Sequence, residues 1–188
     1  LDWPVYERVT ETPEEIAELR ANYAALTTMC DEYFGKLLDC FDKSDLWKDT
    51  CLVLTTDHGF LLGEHDWWSK NRMPVYDEIA RIPLMIAHPD FNEQGGTRRK
   101  ALTQSTDIMP TLLELHNKDI PRDVMGKSLL PLLKDDHDIR DAAIFGYFGA
   151  ACNVTDGRYV YHRYPEKLTA DGLYEYTLMP TRMTSRFS

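Results

Sequence analysis

The chain has 188 residues with 43% hydrophobic and 11% aromatic content, enough for one substantial core or a core plus a small appendage, and too much for a disordered tail. Its 21 Lys and Arg against 31 Asp and Glu give a formal charge of -10, which argues against nucleic acid or an anionic membrane surface as partner and means that an anionic substrate would need a local positive site. No apolar run approaches the roughly 18 to 20 residues of a membrane span. The N-terminus LDWPVYERV has no basic start followed by an apolar stretch, and the first residue is Leu. A cleaved or partial chain is therefore expected, and localisation stays open.

Thr12-Pro13-Glu14-Glu15 reads as a capping box with Pro at the first helical position. Ile16, Leu19, Tyr23, Leu26, Cys30, Tyr33, Leu37 and Phe41 then recur at spacings of three and four, predicting one long amphipathic helix with a bend near Gly35. After a turn at 42–49, residues 51–56 predict a first buried strand and 81–87 a second, with Pro83 near its start. The segment between them looks too polar for core, and a loop of that length is expected to be functional. Ser105-Thr106-Asp107 predicts the cap of a helix running to His116, and residues 121–133 a connector ending in a short helical turn. Residues 143–148, 151–155 and 158–164 predict short strands, the last two separated by the turn signal Asp156-Gly157. The first part is thus α/β and the remainder mostly antiparallel β.

The four cysteines, Cys30, Cys40, Cys51 and Cys152, form no C-x-x-C pair, so buried free thiols are expected. Asn153-Val154-Thr155 spells a glycosylation acceptor, a signal of low specificity. The ionisable groups concentrate in TTDHGFLLGEHDWWSK, residues 55–70. A carboxylate and an imidazole at adjacent positions beyond a strand, followed by a Gly that lets the backbone turn, can point at one cation, and oxygen plus imidazole suits several divalent metals. On the residues alone, Asp57 as a helix cap and His58 as a surface loop residue is the competing reading.

Several segments together resemble the sulfatases of the alkaline phosphatase superfamily. They are Thr56-Asp57-His58-Gly59, Leu62-Gly63-Glu64-His65, Trp68, Lys70, Tyr76-Asp77-Glu78 leading to Arg81-Ile82-Pro83-Leu84, Thr106 to Leu113, Gly126 to Leu133 and the final hairpin. The resemblance covers essentially the whole chain. It implies a partial alkaline-phosphatase-like α/β/α sandwich with a small antiparallel C-terminal sheet: residues 1–135 as the C-terminal half of the catalytic domain, with strands 51–56 and 82–87 parallel, and 136–188 as a truncated subdomain. It implies that Asp57 and His58 ligate a divalent cation, usually calcium, and that Lys70 contacts a sulfate oxygen. His65 is carried over either as a donor standing behind the site or as a satisfied structural histidine. Glu64 and Asp66 are expected to be solvated or structural, and Trp67 and Trp68 to anchor the loop.

The family's nucleophile is a formylglycine made from the first residue of a C-x-P-S-R or S-x-P-S-R segment, and none of the four cysteines lies in one. The chain therefore reads as an internal fragment of a sulfuric ester hydrolase acting on a small-molecule or glycan sulfate ester, inactive alone and prone to self-association through the surface that truncation exposes. A phosphonate monoester or phosphodiester hydrolase of the same superfamily, and a non-catalytic sulfatase-like module, are the alternatives.

Overall fold

The computed structural model describes residues 8–70, 73–147 and 151–164. Residues 165–188 of the expected C-terminal subdomain lie outside them. Helix α1, Pro13–Lys43, spans 31 residues and runs through Gly35 without interruption. Its start is set by the expected reciprocal cap: the Glu15 N–H donates to the Thr12 hydroxyl at 3.3 Å, and the Thr12 N–H to the Glu15 carboxylate at 2.8 Å. Of the apolar stripe, Leu19 and Phe41 near the two ends are buried, while Tyr23, Leu26, Tyr33 and Leu37 between them are exposed.

The strands of the described residues form three small antiparallel sheets. Strand β1, Leu52–Thr55, pairs with β4, Leu84–Ala87, in the register Leu52↔Ala87 to Thr55↔Leu84. This corrects the expected parallel pairing. A parallel return needs a crossover that carries the chain back along the strand, generally a helix. Among the described residues, the only α-helix between β1 and β4 is the four-residue α2, Asp77–Ala80. The chain instead doubles back, and the Thr55 hydroxyl donates to the Pro83 carbonyl at 2.9 Å.

The intervening segment was expected to contribute no core, and this too is corrected. Its hairpin, β2 Leu61–Leu62 with β3 Trp68–Ser69, buries Leu61 and Trp68 completely. Leu61, Met73, Val75 and Ile79 form a cluster against which Trp67, Tyr76, Phe145 and Tyr147 pack. Strands two residues long are too short to show a period of two, so the apolar positions had no pattern to betray them.

Helix α3, Ile108–Leu115, follows a 3-10 turn at Ser105–Asp107. The Asp107 carboxylate does not cap this helix as expected; it accepts from the Gln104 N–H at 2.7 Å, the Lys127 N–H at 2.8 Å and both terminal nitrogens of Arg140 at 2.6 and 2.5 Å. Three stretches far apart in sequence thus meet at one carboxylate. Helix α4, Leu130–Lys134, buries Leu132, and Arg99 caps its end by donating to the Leu132 and Leu133 carbonyls.

Strands β5 Ala143–Gly146, β6 Cys152–Thr155 and β7 Val160–Arg163 form the C-terminal sheet. Its β6–β7 turn spans residues 156–159, longer than the two-residue turn expected, because the Asp156 carboxylate accepts the Arg158 and Tyr159 N–H groups at 2.9 and 2.7 Å. Phe145, Asn153 and His162 are cross-strand partners on the inner face. Asn153 is only 1% exposed, so the glycosylation tripeptide is closed to modification in the folded chain.

Candidate active site

The site begins where β1 ends. Gly59 turns the chain there under a tight constraint: its N–H donates to the Ile79 carbonyl at 2.8 Å, and a Cβ on it would lie 1.7 Å from the Glu78 carbonyl oxygen. Only glycine permits that approach. It fixes His58 against the backbone of α2.

The half-buried His58 ring points Nδ1 at the Gly59 carbonyl, 2.9 Å away. A carbonyl can only accept, so Nδ1 carries the proton and Nε2 presents its lone pair. That lone pair lies 3.2 Å from the exposed Asp57 Oδ2. Two atoms bearing lone pairs at this separation repel unless a proton or a cation sits between or beside them. The Lys70 ammonium supplies a positive charge on the nitrogen side, donating to His58 Nε2. His58 thus touches both Asp57 and Lys70, and the three side chains stand together at the end of β1.

Asp57 is tuned by the same contacts. Desolvation pushes its carboxyl upward, but the hydrogen bonds from the His58 N–H at 3.0 Å and the Thr56 hydroxyl at 3.3 Å favour the ionised form, and the pKa lies below the usual carboxylate value. An ionised Asp57 oxygen beside a neutral imidazole nitrogen is a donor set that fits a divalent cation. Among the described residues no group of three or more His, Cys, Asp or Glu side chains could hold a metal ion, so the pair is at most part of a coordination shell.

His65 is placed differently from Lys70. Its ring stacks on Tyr76 with centroids 3.8 Å apart and planes 13° from parallel, and Nε2 lies 3.2 and 3.3 Å from the two Glu78 carboxylate oxygens. Its backbone is left-handed, with φ of 57°, as are Asp66 at 61° and Ser69 at 71°. Trp68 anchors the loop by donating from Nε1 to the Glu11 carboxylate at 2.6 Å, and the Arg8 guanidinium lies 4.3 Å over the Trp67 ring. Glu64 accepts from the Leu62 N–H within the loop. Gly59 and Tyr76-Asp77-Glu78 stood in the quoted segments, but nothing in the sequence marked Glu78 as the partner of His65 or its backbone as the surface against which Gly59 rests.

Residues 2–118 match the family described as Sulfatase, and residues 63–185 match N-sulphoglucosamine sulphohydrolase, C-terminal. The chain is 36% identical over 131 residues to an N-acetylglucosamine-6-O-sulfatase of Bacteroides thetaiotaomicron, covering 68% of this chain and 23% of that protein. Among solved structures, a phosphonate monoester hydrolase from Silicibacter pomeroyi superposes with a TM-score of 0.72 at 27% identity, covering 83% of this chain and 34% of that one. Another, solved in complex with its substrate D-glucosamine-2-N,6-O-disulfate, gives a TM-score of 0.59 at 31% identity over 68% of this chain and 28% of that one. The chain spans about a quarter of the length of the curated relatives it matches, between 21% and 28%.

Proposed function

Since the chain belongs to the sulfatase family, we propose that it is the C-terminal part of the catalytic unit of a longer sulfuric ester hydrolase, with a sulfated glycan bearing glucosamine 6-sulfate as substrate. The observation that carries this reading is the convergence of Asp57 Oδ2, His58 Nε2 and Lys70 Nζ at the end of β1. Residues 1–135 contribute this site and 136–188 the start of the C-terminal subdomain.

Hydrolysing a sulfate ester builds negative charge on the leaving oxygen and on the oxygens left on sulfur. Lys70 meets that charge directly with its ammonium, which the loop already holds beside the ligand pair. Asp57 and His58 would hold a divalent cation, calcium by the resemblance, as part of its coordination shell, and the cation would supply further charge stabilisation. The Gly59 carbonyl keeps a His58 proton on Nδ1, so the cation would be taken on Nε2, in place of the hydrogen bond that Lys70 donates there. The attacking group is assigned to a formylglycine outside this chain, because no cysteine here stands in the required segment.

The substrate class is supported by the glucosamine sulfates named for two of the similar proteins. The phosphonate monoester hydrolase gives the higher TM-score, which favours a phosphorus ester as the second reading. Comparing kcat/KM of the full-length protein on N-acetylglucosamine 6-sulfate and on phenyl phosphonate monoesters decides between them. A preference for the sulfate is expected. A preference for the phosphonate moves the assignment to the second reading, and inactivity on both overturns the proposal.

A further inference from the structure

We propose that His65 and Glu78 are positioning residues that fix Lys70 relative to the Asp57–His58 pair, an inference that rests on the role given to Lys70 above. The argument starts from α2, which touches the site on two sides. Its backbone holds the first side: Gly59 donates to the Ile79 carbonyl and lies against the Glu78 carbonyl, so His58 cannot shift without moving α2. Its Glu78 side chain holds the second: the carboxylate binds His65 Nε2 at 3.2 and 3.3 Å, and Tyr76, just before the helix, stacks on the His65 ring. One helical turn therefore sets the spacing between the two loops that supply the converging groups.

The lysine loop needs this hold. His65, Asp66 and Ser69 have φ of 57°, 61° and 71°, left-handed conformations that non-glycine residues adopt only when their surroundings impose them. Released from Glu78 and Tyr76, the loop relaxes toward ordinary backbone and carries the Lys70 ammonium away from His58. His65 and Glu78 side chains are 41% and 40% exposed, so the pair contributes little to global stability. What it determines is where Lys70 stands.

The test uses the full-length protein that carries this sequence, with N-acetylglucosamine 6-sulfate as substrate and the variants His65→Ala, Glu78→Ala, Glu78→Gln, Lys70→Ala and His65→Ala with Lys70→Ala. His65→Ala and Glu78→Ala are expected to lower kcat by about 10- to 100-fold, the scale of an ångström of misplacement, with KM and the urea midpoint nearly unchanged. Glu78→Gln keeps most of the activity, because its carbonyl oxygen still accepts from Nε2–H. The double variant is no slower than Lys70→Ala alone, since there is no lysine left to position. Wild-type kcat in His65→Ala beside an impaired Lys70→Ala overturns this inference and leaves the proposed function standing. Additive losses in the double variant overturn it too, by giving His65 a role independent of Lys70. Full activity in Lys70→Ala overturns both. Should His65→Ala fail to fold, the two Glu78 variants carry the same comparison.

Discussion

Replacing Arg140 by Leu is expected to be among the most damaging single changes in the chain. Asp107 is 0% exposed and the Arg140 side chain 8%, so neither can turn to water when its partner is removed. In the native chain the carboxylate accepts four hydrogen bonds, two from the guanidinium fork and two from the Gln104 and Lys127 N–H groups. Arg140→Leu removes both charged donors and leaves a buried anion with two neutral ones, a change that costs about 3–5 kcal/mol. Arg140 also donates to the Leu102 carbonyl at 2.9 Å, so that oxygen loses a partner as well. With a urea m-value of about 2 kcal/mol per molar, the unfolding midpoint drops by roughly 1.5–2.5 M, a loss comparable with the whole stability of a marginal domain. The double variant Arg140→Leu with Asp107→Leu should recover part of that loss, because no unpaired charge remains while the Gln104 and Lys127 N–H groups lose their acceptor. Equilibrium urea unfolding followed by tryptophan fluorescence measures all three proteins. A midpoint shift under about 0.5 M for Arg140→Leu would show that the carboxylate reaches solvent or protonates at little cost, and the reasoning would fail.

Gly59→Ala forces a Cβ into the Glu78 carbonyl and should destabilise by about 1–3 kcal/mol, the range for overpacking, while shifting the His58 ring resonances; an unchanged imidazole spectrum would refute it. Lys70→Ala in the full-length protein should lower kcat by roughly 100-fold, the scale of losing one oxyanion donor, with a melting temperature within a few degrees of the parent. The 188-residue chain alone should give no multiple turnover of a sulfate ester, which a sensitive sulfate-release assay can check. Glu11 supplies a pH dependence: the hydrogen bond from Trp68 Nε1, and then that from the Thr10 N–H, hold its carboxyl below the usual value. A depressed folded pKa stabilises above the unfolded value, near 4.3, and the stabilisation is lost as pH falls through the folded value. The urea midpoint should therefore fall as pH drops below about 4.3, and Glu11→Gln should flatten that slope.

The features legible in the sequence were those set by local rules. Thr12 and Glu15 announced the start of α1, Asp156-Gly157 the hairpin, and the β-branched run before Asp57 the strand that delivers the site. The Asp57–His58 pair was raised by the residues themselves and Lys70 by the resemblance alone, and the structure places the three side by side. Asp107 was misread as a cap because Ser-Thr-Asp before an apolar run has the cap's local signature. Its actual partners, Lys127 and Arg140, lie 20 and 33 residues away, and no local pattern encodes that separation. The direction of β4 was misread for a related reason: an apolar run fixes that a strand exists, and the connection decides which way it runs. The His65 contacts depend on left-handed backbone at three non-glycine residues, which side-chain chemistry alone does not foretell.

The site loop also has a consequence for how the chain reaches its native state. Lys70 meets His58 across 12 residues and Glu78 meets His65 across 13, and the β2–β3 hairpin lies inside the same stretch. By contrast, Trp68 meets Glu11 across 57 residues and Arg140 meets Asp107 across 33. The entropy of closing a loop rises with the logarithm of its length, so the contacts within residues 57–80 close at least cost and the longer ones follow. The arrangement of Asp57, His58 and Lys70 is thus encoded almost entirely within one short piece of chain. Insertions elsewhere leave its internal spacing alone, and a single added residue between Gly59 and Glu78 changes it.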